Sequence, residues 1–264
     1  MRRPVVTAVA LAAFAVLYAP LALIAVQSFN AVRYGTEWKG FTLDWYHRLL
    51  FEDQRAHEAL VNTLLLAGAS TAIATVLGTA LALGLARLPW TRRARAALDA
   101  VVYLPLVSPD IVLAAAMLVA LSILRALLPG AGPGLTAMIL GHVTFQLPFV
   151  ALAVGARLAT IGPAQEEAAR DLYADDWQVL RRVVLPQLWP GIAAGALLAF
   201  TLSLDDFVIS FFTADTRSTT LPLFIQAALR TGISPEISAL STLIVVASAV
   251  LVLALARLQR KETA

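Results

Sequence analysis

The 264-residue chain is 59% hydrophobic and 14% charged, against roughly 45–50% and about 25% for an average soluble domain. With only 20 basic and 17 acidic residues to cover a surface of this size, a soluble domain is excluded, and so is a disordered chain. The absence of cysteine excludes disulfides, thiolate metal sites and a cysteine nucleophile, and the net charge of +3 is too small to argue for nucleic acid.

A helix that crosses the hydrocarbon core needs about 20 apolar residues. The chain contains six such runs: Val5–Phe29, Leu60–Leu85, Val101–Leu124, Leu135–Ala156, Gly191–Phe212 and Ile237–Ala256. Pro20, Gly68, Gly78, Pro105, Pro109 and Pro148 fall inside them, as membrane helices tolerate. Ten-residue segments of alternating polarity are absent from the sequence, which argues against an outer-membrane barrel. The first run follows Arg2 and Arg3 but is about 25 residues long with no small-x-small cleavage site, so a retained anchor is expected. The expected fold is all-α, a polytopic membrane protein with six transmembrane helices. It forms one permease-sized domain over 1–264, with its core at about 58–256.

Of the 20 Lys and Arg residues, 13 lie at one set of helix ends: Arg2, Arg3, the 87–95 cluster, the 157–182 group and Arg257, Arg260, Lys261. By the positive-inside rule both termini are cytoplasmic. These residues account for the basic pI without nucleic acid. Residues 30–59 then lie outside, with Trp38, Phe41, Trp45 and Tyr46 among charges. Residues 86–100 form a basic inner loop, 125–134 an outer turn around Pro129 and Pro133, and 213–236 the last outer loop.

The longest inner stretch, 157–190, has internal order. Pro163 suits a first helical turn, and Ala164–Leu172 are good helix formers with acids early. Tyr173–Asp176 breaks the run, and an Asp before Trp177 can cap a second helix. Trp177, Leu180 and Val184 give that helix an apolar stripe, and Pro186 and Pro190 are expected to stop it. Two readings fit: an interfacial helix with Arg181 and Arg182 on lipid phosphates, or a docking element for a soluble partner.

Glu167, Ala168, Ala169, Tyr173, Val183, Leu185 and Pro186 together resemble the "EAA" signature of permease subunits in type I ATP-binding-cassette importers, with matching spacing throughout. The resemblance implies the transmembrane-domain fold of those importers and a coupling helix seated in a cleft of the ATPase. That family has glycine where this chain has Tyr173. Glycine permits a left-handed turn, whereas tyrosine forced into it loses roughly 1–2 kcal/mol. Either the turn takes another shape or it carries that strain.

The likeness extends to Ser28-Phe29-Asn30, Gly40-Phe41-Thr42 with Trp45-Tyr46, Ser108-Pro109-Asp110-Ile111-Val112 and Phe200 through Asp206. These are similar to the permease subunits of spermidine/putrescine importers, nearest to the second of the two. The resemblance implies a cytoplasmic (inner) membrane location and a heterodimer with a second, homologous permease subunit. It also implies an ATP-binding-cassette ATPase dimer that holds the ATP and Mg, a periplasmic solute-binding protein, and no cofactor or metal on this chain. Related permeases carry iron, thiamine or sulfate.

Asp110, Asp205 and Asp206 fall inside expected spans, where a carboxylate costs roughly 2.5–3.5 kcal/mol and usually faces a bundle interior or aqueous path. Asp110 lies about 14 Å into its run at 1.5 Å per residue, although Pro109 suggests a helix restarting there. On a continuous helix Ser203, Asp206, Ser210 and Thr213 form one polar stripe, with Thr201 and Asp205 beside it. Such a stripe lines a passage or bonds to neighbouring helices. Carboxylates in a dry passage favour a cation, and Phe145, Phe149, Phe207 and Phe211 are available for cation–π contact. His142 and Gln146 are one helical turn apart and are expected to bond between helices.

Three function classes are compatible with a chain of this kind. A permease subunit carries no nucleotide site, and the chain has no G-x-x-x-x-G-K-[ST]. A self-sufficient transporter or channel would be expected to show an inverted repeat with paired broken helices, and none is legible. An intramembrane enzyme lacks H-E-x-x-H and G-x-S-x-G.

Overall fold

The computed structural model describes residues 3–32, 37–128, 130, 132–162, 164–230, 232 and 234–246. Arg2, Arg33, Pro129, Pro163, the sixth expected span beyond residue 246, and Arg257, Arg260 and Lys261 lie outside the described residues. The regular elements among the described residues are helical, with a single isolated bridge between Asn30 and Phe41.

The contacts divide the chain into two units, Met1–His57 with Phe224–Ala264, and Glu58–Leu223. In the first, α1 (Arg3–Gln27) is an apolar helix exposed along almost its whole length. The following turn is fixed by buried Asn30: its amide donates to the Glu37 carbonyl and its oxygen accepts from Lys39 N–H. The Trp45 indole on α2 (Asp44–Phe51) donates to the Asn30 carbonyl at 2.8 Å, so the outer segment is a built element. Helix α12 (Pro235–Val246) is a short apolar helix that lies where the sixth span is expected to begin.

The second unit begins with α3 (Gln54–Arg87), a 34-residue rod longer than the expected second span. The third span is not continuous. The expected inner loop is already helical from Arg92, because the Thr91 hydroxyl caps α4 (Arg92–Val107) and Arg95 pairs with Asp99 one turn on. Ser108 is extended, as a residue before proline must be, and α5 (Asp110–Leu127) restarts beyond Pro109. The fourth span is α6 (Leu135–Leu158), as expected.

The segment after α6 departs most from the sequence reading. Helix α7 (Ala164–Asp171) is followed by a turn and α8 (Asp176–Val179), capped by Asp175 through a reciprocal box with Gln178. Pro186 and Pro190 do not stop this second helix. It passes through a π-helical turn (Leu180–Val184) into α9 (Leu185–Asp205), one apolar rod over Asp176–Asp205. The wide turn accommodates Pro186, whose missing N–H breaks the regular bonding ladder anyway. It also alters the expected stripe: Val179 and Val184, five residues apart, are buried together, while Trp177 turns outward.

The expected fifth span is broken as well. Asp206 is extended and α10 (Val208–Thr213) restarts beyond it. The last outer loop holds α11 (Leu221–Arg230), so it too is ordered.

α6 and α9 pack closely because α9 presents Gly191, Gly195, Ala199 and Ser203 at four-residue intervals, all buried. A Cβ on Gly191 would sit 2.5 Å from Arg157 Cβ, and one on Gly78 of α3 would sit 2.7 Å from Val150 Cβ. Val150, Val154, Leu158, Val179, Val184 and Leu188 form the apolar core around these approaches.

Candidate functional site

The small-residue seam of α9 ends at Ser203, and there the packing turns polar. His142 of α6 lies between three partners: Ser203 Oγ at 2.7 Å from Nδ1, Ser210 Oγ at 3.1 Å and Asp206 Oδ2 at 3.2 Å from Nε2. A proton on Nε2 serves Asp206 and leaves Nδ1 to accept from Ser203. One turn along α6, the Gln146 amide donates to Ser70 Oγ of α3 and to the Ala199 carbonyl. Ser70 lies 3.3 Å from Ser203, which closes a buried network across three helices. The expected interhelical bonding of His142 and Gln146 is what the structure contains.

Asp206 explains the break in the fifth span. Its carboxylate accepts from the backbone N–H of Ile209 at 3.2 Å and of Ser210 at 2.8 Å. A side chain that takes these donors competes with the helix, so the rod ends and α10 begins under an acidic cap. The expected stripe of Ser203, Asp206, Ser210 and Thr213 is therefore not one face of a continuous helix. Ser203, Asp206 and Ser210 still converge on His142, while Thr213 bonds the Ile209 carbonyl.

The other two acids differ. Asp110 is the first residue of α5, after a cap position held by Pro109, and is exposed. Asp205, the last residue of α9, is also exposed and lies within electrostatic reach of both Asp206 and Asp110. Since α10 packs on α5 and α6, two restarted helices meet at three carboxylates. Two broken spans thus meet here, the break at Pro109 legible in the sequence and the one at Asp206 not. Phe207 and Phe211 stand at the same break with ring centroids 5.4 Å apart, Phe211 being exposed.

At the cytoplasmic segment, α7 ends as a two-bond capping motif. Ala174 N–H donates to Ala169 C=O and Tyr173 N–H to Arg170 C=O, the pattern that puts one residue in the left-handed region. That residue is Tyr173, with φ of 60°. The turn keeps the left-handed shape and carries the strain. Tyr173 is 97% exposed, and Leu172 and Trp177 beside it are exposed too. Glu167 and Ala168 face outward and Ala169 is half-buried, whereas Val183, Leu185 and Pro186 lie in the π turn and the start of α9. The seven motif residues thus occupy both arms of one bent element.

Sequence reading missed Glu166. It is 7% exposed, and its two carboxylate oxygens accept from both terminal nitrogens of Arg87 at the end of α3. Adjacent acids on a helix diverge by about 100°, so Glu166 and Glu167 point in different directions, and here one is buried and the other exposed.

A family model described as "Binding-protein-dependent transport system inner membrane component" matches residues 66–261. The spermidine/putrescine transport system permease protein PotC of Escherichia coli (strain K12) is 37% identical over 96% of this chain and 92% of its own length. The putrescine transport system permease protein PotI of the same organism is 36% identical over 92% of this chain and 86% of its own. Among solved structures, a bacterial ABC transporter that imports the acidic polysaccharide alginate superimposes with a TM-score of 0.75 at 21% identity, covering 98% of this chain and 96% of that one. The MetNI methionine ABC transporter gives 0.60 at 21%, covering 84% and 99%. These two share the fold. The chain belongs to the family of inner membrane components of binding-protein-dependent transport systems.

Proposed function

We propose that the chain is one of two permease subunits of an ATP-driven importer whose cargo is a polyamine such as spermidine or putrescine. The observation that carries the reading is the pair of exposed carboxylates, Asp110 and Asp205, at the meeting of two restarted helices. In a low-dielectric passage two such groups attract a flexible cation with separated ammonium groups and repel an anion. The relatives named for spermidine and putrescine transport support the same cargo. Asp206, with Ser203 and Ser210, holds the break, and Phe207 and Phe211 offer ring faces to an ammonium.

Residues 157–190 are the coupling segment, whose outward face of Glu167, Ala168, Leu172, Tyr173 and Trp177 docks on one protomer of an ATPase dimer. ATP and Mg are held there, and this chain contributes no nucleotide site. A solute-binding protein delivers cargo to the outer segments 30–59 and 213–236, both termini are cytoplasmic, and residues 1–264 act as one permease domain with its core at about 58–256. Closure of the ATPases moves the coupling segment and reorients the helices around the passage.

Uptake of labelled spermidine and putrescine by the assembled importer, with Asp110→Asn and Asp205→Asn made singly, tests the reading. Each variant is expected to lower uptake at least tenfold with the complex intact. Unchanged uptake in both removes the passage assignment.

A further inference from the structure

Helix α7 has two covalent routes into the membrane, back through residues 159–163 to α6 and on through the Tyr173 turn, α8 and the π turn into α9. It has a third route that is not covalent. Glu166 on its inner face takes both terminal nitrogens of Arg87, the last residue of α3 and 79 positions away in sequence. We infer that the Arg87–Glu166 pair is a permanent strut that makes α3 a third output of the coupling segment, beside the two helices the chain already joins to it. The inference rests on the reading of residues 157–190 as the ATPase dock and deepens it.

Helix α7 has eight residues, too few to hold its shape or position by its own hydrogen bonds. A bidentate guanidinium–carboxylate pair resists rotation as well as separation, which a single hydrogen bond does not. The pair is sheltered, with Glu166 buried and the Arg87 side chain 33% exposed, so water competes weakly for it. At its other end stands a helix with no internal proline, continuous from Gln54 to Arg87. A push at Arg87 is delivered along that rod to Ser70, 17 residues away or about 25 Å at 1.5 Å per residue. Ser70 bonds Gln146 and lies against Ser203, which bonds the imidazole that holds Asp206 at the break. The coupling segment is therefore tied to all three helices of the buried network, to α6 and α9 by the chain and to α3 by the ion pair. A contact made to open in each turnover would instead need a weaker, wetter pair.

The test uses the full importer in proteoliposomes, reading spermidine uptake and ATP hydrolysis together. Arg87 and Glu166 border a cavity of about 710 Å³, which leaves room for replacements. Arg87→Glu and Glu166→Arg are each expected to lower uptake per ATP hydrolysed at least tenfold, and the double exchange to restore it to within threefold. Because the native chain has no cysteine, Arg87→Cys/Glu166→Cys gives a neutral variant for cases where a charge reversal fails to fold. It should be uncoupled until a short bifunctional thiol reagent bridges the two positions, and bridging should raise uptake per ATP. Bridging that leaves the ratio unchanged or lowers it overturns the strut. ATP-dependent maleimide labelling of Ala72→Cys, an exposed position on α3, is read alongside and does not depend on the cargo. Its ATP response should vanish when the pair is broken and return on bridging, and a response that survives the break also overturns the strut. An ATPase that fails to co-purify with the wild-type chain, or that still co-purifies and drives uptake when residues 167–173 are deleted, refutes the docking reading itself. With docking intact, failure in the bridging arm refutes the strut alone.

Discussion

Nε2 of His142 lies 3.2 Å from Oδ2 of Asp206, so a side chain of the fourth span holds the carboxylate at which the fifth one breaks. The same carboxylate accepts from Ser210 N–H at 2.8 Å. One group thus does two jobs: it caps α10 and anchors the break to α6.

Asp206→Ala removes the cap, about 1 kcal/mol, and leaves the imidazole N–H only the Ser210 hydroxyl, a weaker acceptor than a carboxylate, about 1 kcal/mol more. A loss of about 2 kcal/mol is expected. Asp206→Asn keeps an oxygen for the helix N–H groups and should lose only about 1 kcal/mol. Thermal unfolding of the detergent-solubilised protein at one fixed scan rate compares them. Equal midpoints for the two variants would contradict the capping role.

Tyr173 occupies a left-handed position that costs a non-glycine residue about 1–2 kcal/mol. Tyr173→Gly should relieve it and stabilise the turn by about 1 kcal/mol, less the extra freedom that glycine gives the unfolded chain. Amide exchange of residues 168–175 in the isolated permease measures this, and slower exchange is the expected result. Tyr173→Val should move the other way, because a β-branched residue tolerates positive φ worst.

The α6–α9 and α3–α6 seams predict a contrast among glycines. Gly191→Ala and Gly78→Ala push a methyl to 2.5 Å and 2.7 Å from neighbouring carbons and should each destabilise by about 1–3 kcal/mol. Gly155→Ala, on the same helix as Val150 but with open space at its Cβ, should be neutral or stabilising by up to about 1 kcal/mol. Unfolding midpoints of the three variants check the order.

Glu166 makes a pH prediction. The Arg87 guanidinium that donates to its carboxylate holds it below the ordinary glutamate value of about 4.5, against the opposing effect of burial. The charged carboxylate is the form the fold favours. Its contribution is therefore complete above about pH 4.5 and is lost as the pH falls through the depressed value. Proteolytic resistance of residues 159–172 should be flat from pH 8 to about pH 5, then drop on further acidification. Glu166→Gln should show the low-pH susceptibility at every pH.

Local chemistry carried much of the architecture into the sequence. Twenty-residue apolar runs can only be helices in a bilayer, since every backbone group must bond within its own segment. α1 and α6 follow their runs to within two residues, and α3 contains its run whole and extends beyond it at both ends. The motif from Glu167 to Pro186 was legible because its residues are fixed by a turn and a cap, both short-range. Even the restart after Pro109 follows from what proline does to its neighbours.

The rest required distant residues to meet. Nothing near Asp206 says that its carboxylate will prefer the N–H groups of Ile209 and Ser210 to an unbroken helix. That choice is settled by His142, 64 positions earlier, brought alongside by the glycine seam. Pro186 and Pro190 read as terminators, yet the chain runs on, because Val179 and Val184 gain burial against α6 and α3 that one π turn makes possible. Glu166 and Glu167 are chemically identical in the sequence, and only Arg87 at the end of another helix makes one a structural tie and leaves the other exposed. The sequence alone determined which segments are helical and apolar, since those are properties of neighbours along the chain. Where the fifth span breaks, and which acids are held inside, depended on contacts between helices, whose energies no single segment contains.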